Sequence, residues 1–337
     1  MRIGIIGSGA IGCLLAAYLK LEGQDVSLSG HPDSVEAIKR DGLEISGVRG
    51  TFKVEIKVAE HLNYFPELVI LATKTQDIKE AIKDNLGLIH NALVLTVQNG
   101  VQADNIAAKF LDKEKIISSI VMFGSTYLEP GRLVHNFEGP WIIGWAYPGK
   151  TPGDLENLSR ILNKVFPVVI TENITGMKFL KIFANANNCL PAILGKSMQE
   201  VFSDNEVSRI SIAIWKEALE VVNAAGIELV SLPNFPVENI TRLTSLPPAQ
   251  AAGIFSQTMR NLSKEPLYGS ILQSIMRGRN SEIDYINGEF VRLADQAKVS
   301  APLNDTLVKM VHEVEKNKRF YEKAELLERA GKAVELK

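Results

Sequence analysis

Two kinds of apolar pattern alternate along the amino-terminal half of the chain. Short runs rich in Ile, Val and Leu, namely "RIGIIG", "DVSLSG", "LVILAT", "LVLTVQNG" and "IISSIVMFG", predict buried strands. Between them, the apolar spacing over Ile11 to Leu21 and in "DIKEAIKDNL" predicts helices. Such alternation predicts a doubly wound α/β domain, a mostly parallel sheet covered by helices. From about residue 172 the strand signals fade and long helical patterns follow, interrupted by the proline-bearing loops "SLPNFP" and "SLPPAQ". The expected organisation is an α/β domain over 1–172, an all-α domain over 173–320, and a charge-dense segment over 321–337 read as a solvated helix or tail. Within the all-α part, "KFLKIFANANNCLPAILG" (Lys178 to Gly195) reads as one amphipathic helix.

The composition narrows the functional class. The chain has 337 residues, 46% of them hydrophobic and 23% charged, with a net charge of -2, which describes a globular protein without the basic footprint of a nucleic-acid binder. The apolar amino terminus could pass for a secretory leader. Gly4, Gly7, Gly9 and Gly12 fall instead where a strand turns into a helix, and the run stops at Lys20, short of a membrane span. Two cysteines, Cys13 and Cys189, form neither a CxxC pair nor a disulfide framework. A reducing cytoplasm is the expected compartment, with no membrane partner and no metal.

"GSGAIG" (Gly7, Ser8, Gly9, Ala10, Ile11, Gly12) fits G-x-G-x-x-G between a strand and a helix, the context that makes the pattern a dinucleotide fingerprint and the α/β domain a Rossmann domain. Gly7 allows the tight turn, Gly9 lets the backbone approach a pyrophosphate, and Gly12 lets helix and strand pack closely. The second strand ends in Ser29, Gly30 and His31, where NAD-binding domains usually carry an acidic residue. With no carboxylate to repel a 2'-phosphate, NADP(H) is the expected cofactor. Lys74 in "LATKTQ" and Gln98 and Asn99 in "TVQNGV" lie at carboxyl ends of strands, the edge where such sheets bind ligands.

A second concentration of polar residues lies in the helical part. At about 100° per residue, Asn185 falls roughly 40° from Lys181 and Asn188 roughly 20° to the other side, whereas Asn187 falls at about 240°. Lys181, Asn185 and Asn188 then share a face able to hold one small polar ligand, and Asn187 is left to another contact or to solvent. The bland alternative is a lysine reaching solvent and asparagines bonded to backbone. Further on, in "YGSILQSIMRGRNSEIDYINGEF", Ser281 is a candidate cap for a helix beginning at Glu282. Gly288 inside that helix would cost about 1 kcal/mol relative to alanine, which suggests a neighbour packed closely on it.

Taken together, "IGIIGSGAIG", "TKTQD", "QNGV", "KIFANANN", "GSILQSIMRGRNSEIDYING" and "APLNDTLVKMV" resemble the ketopantoate reductase family of the 6-phosphogluconate-dehydrogenase-like superfamily, over nearly the whole chain to about residue 315. The resemblance implies a Rossmann domain, an all-helical second domain, and NADPH-dependent reduction of 2-dehydropantoate to (R)-pantoate for pantothenate synthesis. It further implies that Lys181 is the catalytic lysine, that Asn185 binds the substrate one turn later, that Ser270 and Glu282 help hold the substrate and orient the site, with Glu282 the second catalytic residue able to balance the lysine's charge, and that Lys74 and Asn99 lie beside the cofactor. A ketone gains negative charge as hydride arrives, so an ammonium that stabilises the oxygen and protonates it fits the chemistry. Asn188 and Asn99 join the expected substrate contacts. Three positions depart from the family's usual residues: Cys189 stands where a second asparagine is common, His31 where an arginine often meets the 2'-phosphate, and Ser274 where an aspartate is common. Two alternatives stay open: a reductase of another small 2-oxo or 3-oxo acid, and a non-catalytic NADP(H)-sensing regulator. A homodimer is plausible.

Overall fold

The computed structural model describes residues 1–147, 152–261, 263 and 265–333. The chain divides into two compact units, Met1–Thr175 and Gly176–Lys337.

The first unit carries twelve strands among its described residues: β1 (Arg2–Ile6), β2 (Asp25–Ser29), β3 (Leu43–Gly47), β4 (Phe52–Val54), β5 (Lys57–Ala59), β6 (Leu68–Leu71), β7 (Leu93–Thr96), β8 (Ile116–Val121), β9 (Gly124–Glu129), β10 (Arg132–Phe137), β11 (Trp141–Trp145) and β12 (Val168–Ile170). Eight form the main sheet in the order β12-β11-β8-β7-β6-β1-β2-β5. All its neighbouring pairs are parallel except β11 with β8. The five strands expected from the sequence are β1, β2, β6, β7 and β8.

Their apolar runs are continuous because both faces of the sheet are covered. Ile3, Ile5, Leu28, Ile70 and Leu95 join one core, with Leu14 and Leu15 of the helix Ala10–Leu21. Ile6, Val69, Leu71 and Val94 join the other, with Ile78 and Ile82 of the helix Ile78–Ile89. The period of two along each strand therefore sorts residues onto opposite faces.

A second, four-stranded sheet in the order β4-β3-β10-β9 was not expected from the sequence. It is locked to the first helix by an aromatic cluster. The Tyr18 hydroxyl lies 2.9 Å from His135 Nδ1, and the Arg49 guanidinium sits 4.5 Å from the Tyr18 ring centre while pairing with Glu138. Burial lowers the pKa of His135, which favours the neutral ring in this setting.

The second unit is helical throughout its described residues, apart from connecting turns and one isolated bridge between Leu232 and Phe235. Its longest helix, Asn205–Ala224, is capped by Asp204, whose side chain accepts the N–H groups of Glu206 and Val207. Helices Pro248–Arg260, Asn287–Ala297 and Pro302–Asn317 pack on it.

The structure differs from the sequence expectation at two places here. The segment Lys178 to Gly195 is not one helix: the helix Ile174–Ala186 ends, Asn187 and Asn188 form a turn in which Asn188 N–H donates to Asn185 C=O at 2.9 Å, and a short helix Cys189–Leu194 follows. Pro191 explains the restart, since proline belongs in the first turn of a helix and cannot continue one. The segment after residue 320 is not merely a solvated tail, because the helix Lys323–Ala333 buries Leu326 and Ala330 completely and its Arg329 pairs with Glu313. The final four residues of that expected segment lie outside the described residues. Among the described residues no helix is long and apolar enough to cross a membrane.

Candidate functional site

In the first unit, the carboxyl ends of β1, β2, β6 and β7 bring together the loops expected to hold a dinucleotide. Gly7 has φ +119 and donates its N–H to Ser29 C=O at 2.8 Å, and a Cβ there would lie 2.5 Å from the backbone carbon of Ala72. A Cβ on Gly12 would fall 1.8 Å from the Gly7 carbonyl oxygen. These two glycines are required by the protein itself. Gly9 is different, since a Cβ there would meet nothing within 4 Å. It precedes the helix Ala10–Leu21 without a side-chain cap bond, so no side chain of this residue occupies the helix N-terminus, where amides and macrodipole favour an anion. Ala10 and Ile11 are half-buried, and Ser8 is buried against Gly30.

Ser29 does not present its side chain as expected. It is buried at 1% exposure, with Oγ directed to Ile5 C=O at 3.5 Å, because the end of β2 is still inside the sheet. Its contribution is the carbonyl that anchors Gly7. His31 is exposed and stands immediately before the helix Pro32–Asp41.

Gln98 is buried at the end of β7, and its Nε2 donates to Leu71 C=O at 2.8 Å and Thr73 C=O at 2.9 Å, so it ties the β7 loop to the β6 loop. Its Oε1 is buried without a hydrogen-bond partner, as is Thr73 Oγ1. Buried polar atoms of this kind are normally paired, so two such atoms beside the glycine turn mark a place where a ligand can complete the bonding. Thr73 carries no signal in the sequence, because nothing in "LATKTQ" tells which way its hydroxyl turns. Lys74 and Asn99 are half-buried in the same two loops, each with bonded partners. Below them Asp104 is buried and accepts from Thr96 Oγ1 at 2.5 Å and Ser118 Oγ at 2.6 Å, which fixes the spacing of β7 and β8.

In the second unit, Lys181, Asn185 and Asn188 are half-buried. Among the described residues Lys181 has no hydrogen-bond or ion-pair partner, and desolvation of its ammonium brings the pKa down to about 8. Asn188 belongs to the turn rather than to the helical face with Lys181, and its amide caps nothing. Its side chain lies close to Gly269, the residue before the helix Ser270–Met276, where a Cβ would come within 3.0 Å of the Asn188 amide carbon. Ser270 itself is exposed. Asn187, expected in another contact or solvent, is 4% exposed with both amide atoms unpartnered.

Glu282 is half-buried, with partners, at the start of the short 3-10 turn Ile283–Tyr285. Ser281 accepts the Ile283 N–H at 3.3 Å, so it caps that turn, and the following α-helix starts only at Asn287. Gly288 is therefore in a first turn, and a Cβ there would meet atoms no closer than 3.5 Å, so the tight packing expected at this glycine is absent. The unusual residue is Asn287. Fully buried, it donates to Asn304 Oδ1 at 3.0 Å and reaches Cys189 Sγ at 3.8 Å. Asn304 in turn donates to Glu217. Cys189 is fully buried with its thiol pKa pushed up by desolvation, so it supports Asn287 rather than offering a reactive thiol.

The family model for ketopantoate reductase PanE/ApbA matches residues 3–146, and that for the PanE/ApbA C terminal matches residues 173–315. The 2-dehydropantoate 2-reductase of Pyrococcus abyssi is 30% identical over 309 residues, which cover 90% of this chain and 94% of the relative. That of Archaeoglobus fulgidus is 25% identical, covering 93% and 98%. Among solved structures, a ternary complex of D-mandelate dehydrogenase with NADH and anilino(oxo)acetate matches with a TM-score of 0.82 at 24% identity, covering 94% of this chain and 99% of that one. A PanE/ApbA family ketopantoate reductase from Ralstonia eutropha matches at 0.80 and 24% identity with the same coverage. At that identity the two structures speak to the fold, a Rossmann-like domain followed by a helical one.

Proposed function

The chain belongs to the ketopantoate reductase family of oxidoreductases, and we propose that it reduces 2-dehydropantoate to (R)-pantoate with NADPH, using Lys181 as proton donor. The observation that carries the reading is the Lys181 ammonium, desolvated, without a counter-ion among the described residues, and with a pKa near 8. An acid for neutral-pH chemistry works best with a pKa near the operating pH.

The residues present fit a dinucleotide. The open space above Gly9 and the helix N-terminus beside it suit a pyrophosphate, and in the strand-end loops the Gln98 Oε1 acceptor and the Thr73 hydroxyl, able to donate or accept, have no partner. Lys74 and Asn99 would complete that edge. Absence of a carboxylate at the end of β2, with His31 exposed there, favours the 2'-phosphate of NADP(H) over NAD. When bound, the nicotinamide supplies the hydride. Lys181 holds a proton on Nζ and transfers it to the keto oxygen as negative charge develops there. Asn185, Asn188 and Ser270 hold the carboxylate and hydroxyl of the substrate, and Glu282 accepts a hydroxyl and fixes its orientation.

A second reading, reduction of a different small 2-oxo or 3-oxo acid, is favoured by Cys189, buried on Asn287 at a position where the family resemblance leads us to expect a second asparagine. Steady-state oxidation of NADPH and NADH against a panel of 2-oxo and 3-oxo acids decides between them. The expected result is the highest kcat/KM for 2-dehydropantoate with NADPH. A low rank for that acid removes the substrate assignment, and binding of NADPH without turnover of any acid leaves a nucleotide sensor.

A further inference from the structure

One cluster of titratable side chains, not used in the chemistry above, borders the turn that carries Glu282. His312 lies in the helix Pro302–Asn317, with Nε2 2.9 Å from Asp284 Oδ1 and Nδ1 3.1 Å from Glu315 Oε2. The other oxygen of Glu315 accepts the Ser281 backbone N–H at 2.6 Å, in a buried bond. Glu282 is thus bracketed: the residue before it is bonded to Glu315, and the second residue after it is bonded to His312. One imidazole joins the two anchors.

Both ring nitrogens face carboxylate oxygens, which are acceptors only. A neutral imidazole has a single N–H donor, so only the imidazolium satisfies both contacts. Desolvation opposes that charge, but hydrogen bonds and charge from Asp284 and Glu315 outweigh it and raise the pKa of His312. Asp284, from the turn, and Glu315, from its own helix, are the ring's ion-pair partners among the described residues. Three charged side chains on elements packed on the Pro302–Asn317 helix are bonded to groups other than the ring. Glu217 of Asn205–Ala224 accepts the Leu303 and Asn304 amides, Glu289 of Asn287–Ala297 is held by Arg292, and Arg329 of Lys323–Ala333 is held by Glu313. The helix Cys189–Leu194 has no titratable side chain except its cysteine.

We propose that His312 is a positioning residue, which as the imidazolium clasps Asp284 to Glu315 and so fixes the turn Ser281–Tyr285 that presents Glu282 to the substrate. The clasp rests on the role given to Glu282 above. Because its folded pKa is raised, the stabilisation is fully present below the unfolded histidine value of about 6.5 and is lost as pH rises through the folded value.

The test uses the full-length protein, with His312→Gln, Asp284→Asn and His312→Arg. Asp284 is an exposed side chain, so its variant opens the clasp without disturbing the core should His312→Gln fold poorly. Two measurements are made at about pH 5.5, below the ordinary histidine value, where a ring of raised pKa carries its charge. Hydrogen–deuterium exchange of the peptide spanning residues 280–287 reports the turn, and KM and kcat for the best oxo acid report its consequence. The expected result is faster exchange and a several-fold higher KM with little change in kcat for His312→Gln and Asp284→Asn. His312→Arg, which keeps a cation able to bridge two carboxylates, restores both and removes the rise in KM that the wild type shows as pH increases above the ordinary histidine value of about 6.5. Unchanged exchange in His312→Gln and Asp284→Asn overturns the clasp. Faster exchange with unchanged KM overturns the positioning role. If the wild type turns over no acid, the proposed function fails separately, and the exchange data still decide whether the clasp exists.

Discussion

Gly269 approaches Asn188 so closely that a Cβ at position 269 would lie 3.0 Å from the Asn188 side-chain amide carbon and 3.1 Å from Met198 Cε. The backbone of Gly269, at φ -66 and ψ 158, is open to any residue, so only this contact requires glycine. Gly269→Ala should therefore displace Asn188 and the start of the Ser270 helix without straining the chain. The expected outcome is a several-fold higher KM for the oxo acid with an unchanged Kd for NADPH, read by steady-state kinetics and fluorescence titration. An unchanged KM would remove Asn188 from the substrate contacts.

Lys181 yields a prediction with a definite sign. If it is the acid we propose, it must carry its proton, so kcat should be high below about pH 8 and fall above it. Lys181→Ala should lower kcat by on the order of 10²–10⁴ while NADPH binding persists. Its folded pKa lies below the ordinary lysine value, so the charged form is disfavoured in the native state and the penalty is present at neutral pH, fading as pH rises toward about 10.4. Lys181→Met should then raise Tm at neutral pH, and that gain should shrink in alkaline buffer. A flat pH profile together with an unchanged melt would refute the assigned role.

The glycine turn separates folding from binding. Gly12→Ala forces a Cβ to within 1.8 Å of the Gly7 carbonyl oxygen, so it should destabilise the protein by about 1–3 kcal/mol or more, seen as a lower urea midpoint. Gly9→Ala meets no protein atom within 4 Å and should leave the melt of the free protein unchanged. It should still weaken NADPH binding, because the added methyl occupies the space a pyrophosphate needs. Equal NADPH affinity for Gly9→Ala and wild type would move the phosphate site elsewhere.

Five strands of the main sheet were legible, β1, β6 and β7 most plainly because burial on both faces makes them unbroken apolar runs, whereas β5, β11 and β12 at its two edges were not. The second sheet was not, because "LEISG", "FKV" and "RLVHNF" are short, mix charged with apolar residues, and depend on β3 pairing with β10 across nearly ninety residues. The place of Lys181 and Asn185 on one helix was legible from helical spacing, which holds up to Ala186. Asn188 was placed on the same face by continuing that spacing through a turn whose residue Asn188, at φ -65 and ψ -14, has nearly helical dihedrals. Pro191 was the available signal that a new helix had begun. Ser29 and Thr73 show a different limit, since which way a side chain turns at a strand end depends on neighbours distant in sequence.

Asn287 is the centre of a buried polar chain in the helical unit. Glu217 accepts the backbone N–H groups of Leu303 and Asn304 at 2.9 and 2.8 Å and the Asn304 side-chain amide at 2.8 Å, while Asn304 accepts from Asn287. The carboxylate thus satisfies the start of the helix Pro302–Asn317, and the two asparagines carry the connection to Cys189. Asn304→Ala removes the acceptor of an amide that has 0% exposure, and leaving such a group unpaired costs about 1–3 kcal/mol. Asn287→Ala should cost a similar amount, because Asn304 Oδ1 then loses its donor. The double variant should cost clearly less than the two single losses added together, since the pair is one interaction. Urea denaturation of the four proteins of this cycle measures the coupling, and strictly additive losses would mean that the two side chains do not depend on each other.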